Sequence, residues 1–107
     1  MAIPITISVR GARLASEVRS DIRKRSDKLT HFHRRVLGCR VTIEGPGRHH
    51  QNGRQSVRLV VSVPDRDIAI TQQWDDDLRV ALGLAFDAAE RSLLDRVRRR
   101  RDSARAS

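Results

Sequence analysis

The sequence predicts a two-layer α+β sandwich in the order β-α-β-β-β-α, a four-stranded sheet with two helices packed on one face. Three observations carry this expectation. Four stretches alternate apolar and polar residues with a period of two, as half-buried strands do. Two longer stretches repeat apolar residues at helical spacing, leaving one apolar face each. Turn-forming residues separate the last three strand patterns, which makes them an antiparallel meander. An apolar strand face and an apolar helix face bury each other most simply as two layers.

The first strand reads Ile3, Ile5, Ile7 and Val9 on one parity and Pro4, Thr6, Ser8 and Arg10 on the other, and Gly11 ends it. Ser16 is the expected N-cap of the first helix, with Glu17 in its first turn. Val18, Ile22, Leu29 and Phe32 then share one helical face, with Ser26 at its edge, and the helix is expected to end near His33. In Val36–Glu44 the inward parity holds Cys39, Val41 and Ile43. Gly45-Pro46-Gly47 through Asn52-Gly53 is too rich in breakers for regular structure and reads as a long mobile loop. Val57, Leu59, Val61 and Val63 make the third strand, Pro64-Asp65-Arg66-Asp67 a short turn, and Ile68 and Ile70 the fourth strand. Asp75, Asp76 and Asp77 suit the positive end of a second helix. Its broad apolar face is Leu78, Leu82, Ala85, Phe86, Ala89, Leu93 and Val97. Residues 1–101 form the domain, and 102–107 read as a small, disordered basic tail that frays.

At 107 residues the chain is one domain, long enough to bury a helix-on-sheet core without disulfide staples. Cys39, the single cysteine, sits on an inward parity and reads as a small buried hydrophobe. No apolar run approaches the roughly 20 residues that span a bilayer, and the N-terminus lacks a signal-peptide pattern. A soluble, cytoplasmic protein is expected.

Charge is the informative property. Residues 1–39 carry a balance of +6, residues 40–95 of −2 and residues 96–107 of +5, giving the net +9. Two cationic segments thus flank a slightly acidic middle, which is the footprint of a polyanion binder, nucleic acid first among them. On the first helix Lys24, Lys28, His31 and Arg35 follow at i, i+4, i+7 and i+11, a single line that can track a phosphate backbone. Arg23 neighbours the line, and Arg25 lies at the edge of the apolar face. Asp21–Arg25 and Asp27–Lys24 pairs would soften the charge into an ordinary solvated helix face. The second cluster, Arg96 with Arg98, Arg99, Arg100 and Arg101, closes the second helix. Alone it would suit RNA, DNA or an acidic protein equally well.

Other chemistries find little support. His31 and His33 point away from each other on a helix, and His49 and His50 lie in the loop without matching ligands, so neither a metal nor any cofactor is expected. Arg48, His49, His50 and Arg54 better suit a phosphate-touching loop. There is no nucleophile elbow, phosphate cradle or Cys–His pattern, and the three aspartates are placed as helix caps rather than as a metal cluster. An enzyme is not expected. Trp74 reads as packing over the edge of the core, with base stacking as the alternative. Val80 and Leu84, opposite the apolar face of the second helix, offer a weak surface for self-association.

Several strings together resemble a known family. They are Lys28-Leu29-Thr30-His31-Phe32 followed by Arg35-Val36; Val63-Pro64-Asp65-Arg66-Asp67-Ile68; and Asp77-Leu78 with Ala85-Phe86-Asp87, Glu90-Arg91 and Leu93. In this order, over residues 3–101, they resemble the ribosome hibernation-promoting factors, also called ribosome-associated inhibitors or sigma-factor modulation proteins. The resemblance implies a fold like the double-stranded-RNA-binding domain. It also implies binding to the small ribosomal subunit and its rRNA, in the channel of messenger and transfer RNA, and a block on translation in stationary phase or stress. The family's basic positions fall on Arg25 and Lys28 of the first helix and on Arg91 of the second. Ala88, Leu94 and Asp95 stand where relatives usually carry basic residues, and Arg79 where they carry an aromatic. Arg98–Arg101 compensate one turn later. The resemblance is to a short form, without the C-terminal dimerisation domain of long members. A general structured-RNA binder is the alternative, as is a protein–protein regulator acting through the second helix and the arginine tail.

Overall fold

The computed structural model describes residues 3–45 and 54–106. The elements are β1 (Ile5–Arg10), α1 (Ser16–Phe32), β2 (Gly38–Glu44), β3 (Gln55–Val63), β4 (Arg66–Ala69), β5 (Gln73–Asp75) and α2 (Leu78–Ala106). The principal sheet runs β1-β2-β3-β4, and β5 is a three-residue addition paired with β3. β1 lies parallel to β2, because α1 carries the chain back across the sheet between them, and β2, β3 and β4 form the antiparallel meander. The β-α-β-β-β-α order of the sequence reading holds. β5 is the addition: Gln73–Asp75, read only as the approach to α2, pair with Gln55–Val57.

The alternation of β1–β3 places Cys39, Val41, Ile43, Val57, Leu59, Val61 and Val63 on one side of the sheet. Against them lie Ile22 and Leu29 of α1 and Leu78, Ala81, Leu82, Ala85, Phe86, Ala89 and Leu93 of α2. Each fully buried Val, Leu or Ile contributes about 1.5–3 kcal/mol relative to exposure, so this layer contact holds the domain together. The opposite face carries Thr6, Ser8, Arg10, Arg40 and Arg58, all exposed.

Four details depart from the sequence reading. Ala15, not Ser16, occupies the N-cap of α1; its carbonyl accepts from the N–H groups of Val18 and Arg19, and no side chain caps that end. Ser26 is fully buried while Phe32 is 62% exposed. At about 100° per residue, Ser26 is rotated to one side of Ile22 and Leu29, and Phe32 to the other. α1 is rolled toward Ser26, which lifts Phe32 off the sheet. Val97 is also exposed, because it lies a turn beyond Leu93, the last buried residue among those described in α2. Arg66 and Asp67 belong to β4 rather than to the turn, since Val63 already pairs with Arg66. The two-residue link Pro64-Asp65 closes this hairpin, Pro64 presetting φ and Asp65 taking φ +85°.

α2 begins as the aspartates suggest. Asp77 is its cap: the carboxylate accepts from the Arg79 N–H at 2.9 Å, and its carbonyl accepts from Val80 and Ala81. Asp75 Oδ1 accepts from the Asp77 N–H at 2.8 Å, fixing the entry. α2 continues to Ala106, past the expected boundary at Arg101; alanine and arginine are strong helix formers, and cations suit a helix C-terminus. Trp74 is 41% exposed. Its partner across the ladder is Ser56, which places it on the sheet face away from the helices rather than over the core's edge.

The open end of the β1–β2 pair is closed by two glycines. Gly11 has φ +65°, and a Cβ on Gly45 would sit 2.0 Å from the Gly11 carbonyl oxygen. The Gly45 N–H donates to Arg10 O at 2.7 Å, so the two chains approach as only glycine allows. Arg48, His49 and His50 lie outside the described residues, whereas Arg54 is described and exposed. Among the described residues no helix is long and apolar enough to cross a membrane.

Candidate nucleic-acid interface

α1 ends at Phe32 because His33 leaves helical geometry (φ −131°, ψ 87°) while its N–H still donates to Leu29 O. The Thr30 hydroxyl donates back to the Ser26 and Asp27 carbonyls, and the Val36 N–H donates to His33 O, closing a turn. Arg35 therefore does not continue the line Lys24–Lys28–His31, as uninterrupted helical spacing would require. The turn swings Arg34 and Arg35 toward the far end of α2 instead.

There they help to line a cavity of about 320 Å³. Its walls are Phe32, His33, Arg34 and Arg35 after α1, Val63 and Pro64 at the β3–β4 turn, and Leu93, Arg96, Val97, Arg100 and Arg101 of α2. Five guanidiniums surround an apolar floor, and no carboxylate lines the cavity. The α2 residues share one arc of the helix, whereas Arg98 and Arg99 fall outside it. Arg99 instead lines a shallower recess with Arg66, Asp67, Asp95 and Arg96.

A second, smaller groove runs between the helices and is mixed in charge. Arg25, Lys28, Leu29, Phe32 and His33 face Phe86, Asp87 and Glu90 there. Arg25 is half-buried: its Nε donates to Asp21 Oδ2 at 3.0 Å, and its guanidinium lies beside Gly83 of α2. The Asp21–Arg25 pair anticipated from the sequence is thus present, whereas Lys24 and Asp27 make no ion pair among the described residues. Arg23, Lys24, His31 and Arg91 are exposed, and the His31 ring meets Phe32 edge-on with centroids 5.0 Å apart. Arg79 pairs with Glu17 at 3.2 Å, tying the start of α2 to the start of α1.

Of the basic residues singled out in the sequence, the cavity gathers Arg35, Arg96, Arg100 and Arg101. It adds Arg34, which the sequence reading does not include. Leu93, Arg96, Val97 and Arg100 at i, i+3, i+4 and i+7 held the signal, a cationic edge on an apolar stripe that outlasts the core.

Chemically the end of the molecule can bind anions and offers little else. Among the described residues no three His, Cys, Asp or Glu side chains form a metal-sized group. Cys39 is buried, and desolvation pushes its thiol from 9.0 up to about 11, offset in part by the Ser26 hydroxyl alongside. That hydroxyl nevertheless lacks a hydrogen-bond partner of ordinary geometry, and the thiol is held protonated and inert.

Fold and surface together define a class: a small α+β domain whose helices end in a cationic groove. The family follows from the sequence match. Residues 5–101 match the family described as sigma 54 modulation protein / S30EA ribosomal protein, and the chain belongs to it. This is a family of ribosome-binding hibernation factors and not of enzymes; stress and stationary phase are its typical settings. Two solved structures share the fold. A ribosomal subunit interface protein from Coxiella burnetii superposes with a TM-score of 0.74 at 15% identity, covering 87% of this chain and 96% of that one. The N-terminal domain of Protein Y from Thermus thermophilus gives 0.70 at 20% identity, with the same coverages. No curated protein sequence matches the chain significantly.

Proposed function

We propose that this protein is a cytoplasmic translation inhibitor that binds the small ribosomal subunit and fills its messenger- and transfer-RNA channel. Its mechanism is steric: a rigid two-layer domain occupies the channel, held by Arg and Lys contacts to rRNA phosphates. Family membership supports the ribosome as partner, and the similar Coxiella burnetii protein is described as a ribosomal subunit interface protein. The observation that carries the phosphate contacts is the gathering of Arg34, Arg35, Arg96, Arg100 and Arg101 around one cavity with no carboxylate in its lining. Arginine binds phosphate through paired N–H donors, and a lining without a carboxylate favours a ligand as their acceptor. Lys24, Lys28, His31 and Arg91 extend the positive surface along the two helices.

The test is co-sedimentation with salt-washed ribosomes on sucrose gradients from low to moderate salt. The expected result is comigration with the small subunit, lost when Lys24, Lys28 and Arg35 are replaced by Glu. Binding should weaken with salt by a log–log slope of about −0.7 to −0.9 per neutralised phosphate. Absence from ribosomal fractions at low salt would overturn the reading. Comigration abolished by nuclease trimming of loose RNA would favour a general structured-RNA binder instead.

A further inference from the structure

The cavity at the helix ends is more than a patch of charge, because its floor is apolar and concave. Val63, Pro64, Leu93 and Val97 form that floor, and Phe32 stands beside it with 62% of its surface exposed. An aromatic ring is costly to leave in water at a helix end, and the His31 ring meets its edge without covering it. The volume of about 320 Å³ falls at the lower end of the range for small-ligand pockets, about 300–1,000 Å³.

We propose that this cavity seats one unpaired nucleotide of RNA. The base lies against Phe32 and the apolar floor, and its phosphate and the next are held by the arginine rim. This rests on the RNA-binding reading above and specifies which part of the RNA the helix ends take. The chemistry selects that occupant over its rivals. A paired base is stacked within its duplex and presents only phosphates and groove edges, so it leaves an apolar concavity empty. An unstacked base carries a flat π-face for Phe32 and, one bond system away, the anionic groups that five guanidiniums require. Arginine planes themselves stack on bases, so the rim serves both halves of the ligand. Lys24, Lys28 and Arg91 lie outside the cavity and engage phosphates only.

The experiment compares two fluorescent probes of equal phosphate number, a single-stranded uridine dodecamer and a fully paired, blunt-ended RNA duplex, titrated with the intact protein. The dodecamer is expected to bind more tightly. Phe32→Ala should weaken the dodecamer by about tenfold, as loss of one base–aromatic stack does, and the duplex by less than twofold. Phe32→Trp should restore dodecamer binding, which excludes loss of folding as the cause. A dodecamer carrying 5-iodouridine should photocrosslink at Phe32. Equal effects of Phe32→Ala on both probes, or crosslinks confined to Lys24–Lys28, would overturn the proposal. So would displacement of the dodecamer by a Glu/Phe-rich peptide at lower concentration than by unlabelled RNA, which would assign the cavity to a protein partner. Ribosome co-sedimentation of the same variants separates the two conclusions. Wild-type comigration with no Phe32 effect on either probe sinks the cavity assignment alone, whereas absence of the wild type from ribosomes sinks the wider reading.

Discussion

The groove between the helices and the cavity at their ends use the same two helices and share Phe32 and His33, yet their electrostatics differ. Between the helices, Arg25 and Lys28 face Asp87 and Glu90, and Arg25 is already engaged by Asp21. At the ends, five arginines line one cavity with no carboxylate among its lining residues, and only Arg96 also borders the recess that holds Asp67 and Asp95. Counting cations along the chain rates α1 at least as highly as the end of α2. What separates the two regions is the location of the carboxylates, and that depends on which faces of α1 and α2 meet.

Truncating Leu93 would break both regions at their common support, since it is buried under α2 and also floors the cavity. Leu93→Ala is expected to cost about 2–4 kcal/mol of stability, read from urea unfolding. Reversing the cavity charge sharpens the contrast more selectively. Arg35→Glu with Arg100→Glu should weaken ribosome binding about 100-fold or more at moderate salt and reduce the magnitude of the salt slope by about two. Lys24→Glu with Arg91→Glu should do less, and an equal loss would erase the distinction between the regions.

A pH series probes the core beneath both regions. The Cys39 thiol is raised from 9.0 to about 11 in the folded state, so above pH 9 the unfolded chain gives up this proton first. The stability it contributes is complete below pH 9 and lost as pH rises through about 11. By linkage the difference amounts to roughly 2 kcal/mol near the top of that window. Urea midpoints at pH 8 and 10.5 should diverge in the wild type and converge in Cys39→Ala. The smallest expected effect is a gain. Asp87→Asn with Glu90→Gln removes the acids from the inter-helix groove and should tighten RNA binding a few-fold. No change in the titration would mean that this groove lies away from the RNA.

Much of this was legible in the sequence, for reasons that particular residues make plain. The period of two in Ile5–Val9, Cys39–Ile43 and Val57–Val63 specifies strand, buried face and register parity at once, so the sheet follows from it. Asp77 marked the start of α2 because a cap is a local interaction. Phe32 and Val97 were misplaced because local spacing reports a face, not how far the core extends beneath it or how the helix is rolled. β5 escaped because three residues carry no period, and its pairing with Gln55–Val57 is a tertiary matter. For the candidate interface, the sequence yielded the cationic segments but not their meeting. Helical arithmetic aligns Arg35 with Lys28, and only the turn at His33 brings it to the same cavity as Arg100.

α2 runs for 29 residues, about 43 Å at 1.5 Å per residue, in a domain whose longest dimension is 53 Å. Among the described side chains Leu93 is the last one buried, so the turns beyond it extend past the core and only line the cavity beside Val63 and Pro64. Four consecutive arginines at 98–101 repel one another there, opposed by the partial negative charge of the helix end and by Asp95 and Asp102 on either side. A polyanion bound there, as proposed above, would relieve that repulsion and so add to the stability of the helical turns that hold it.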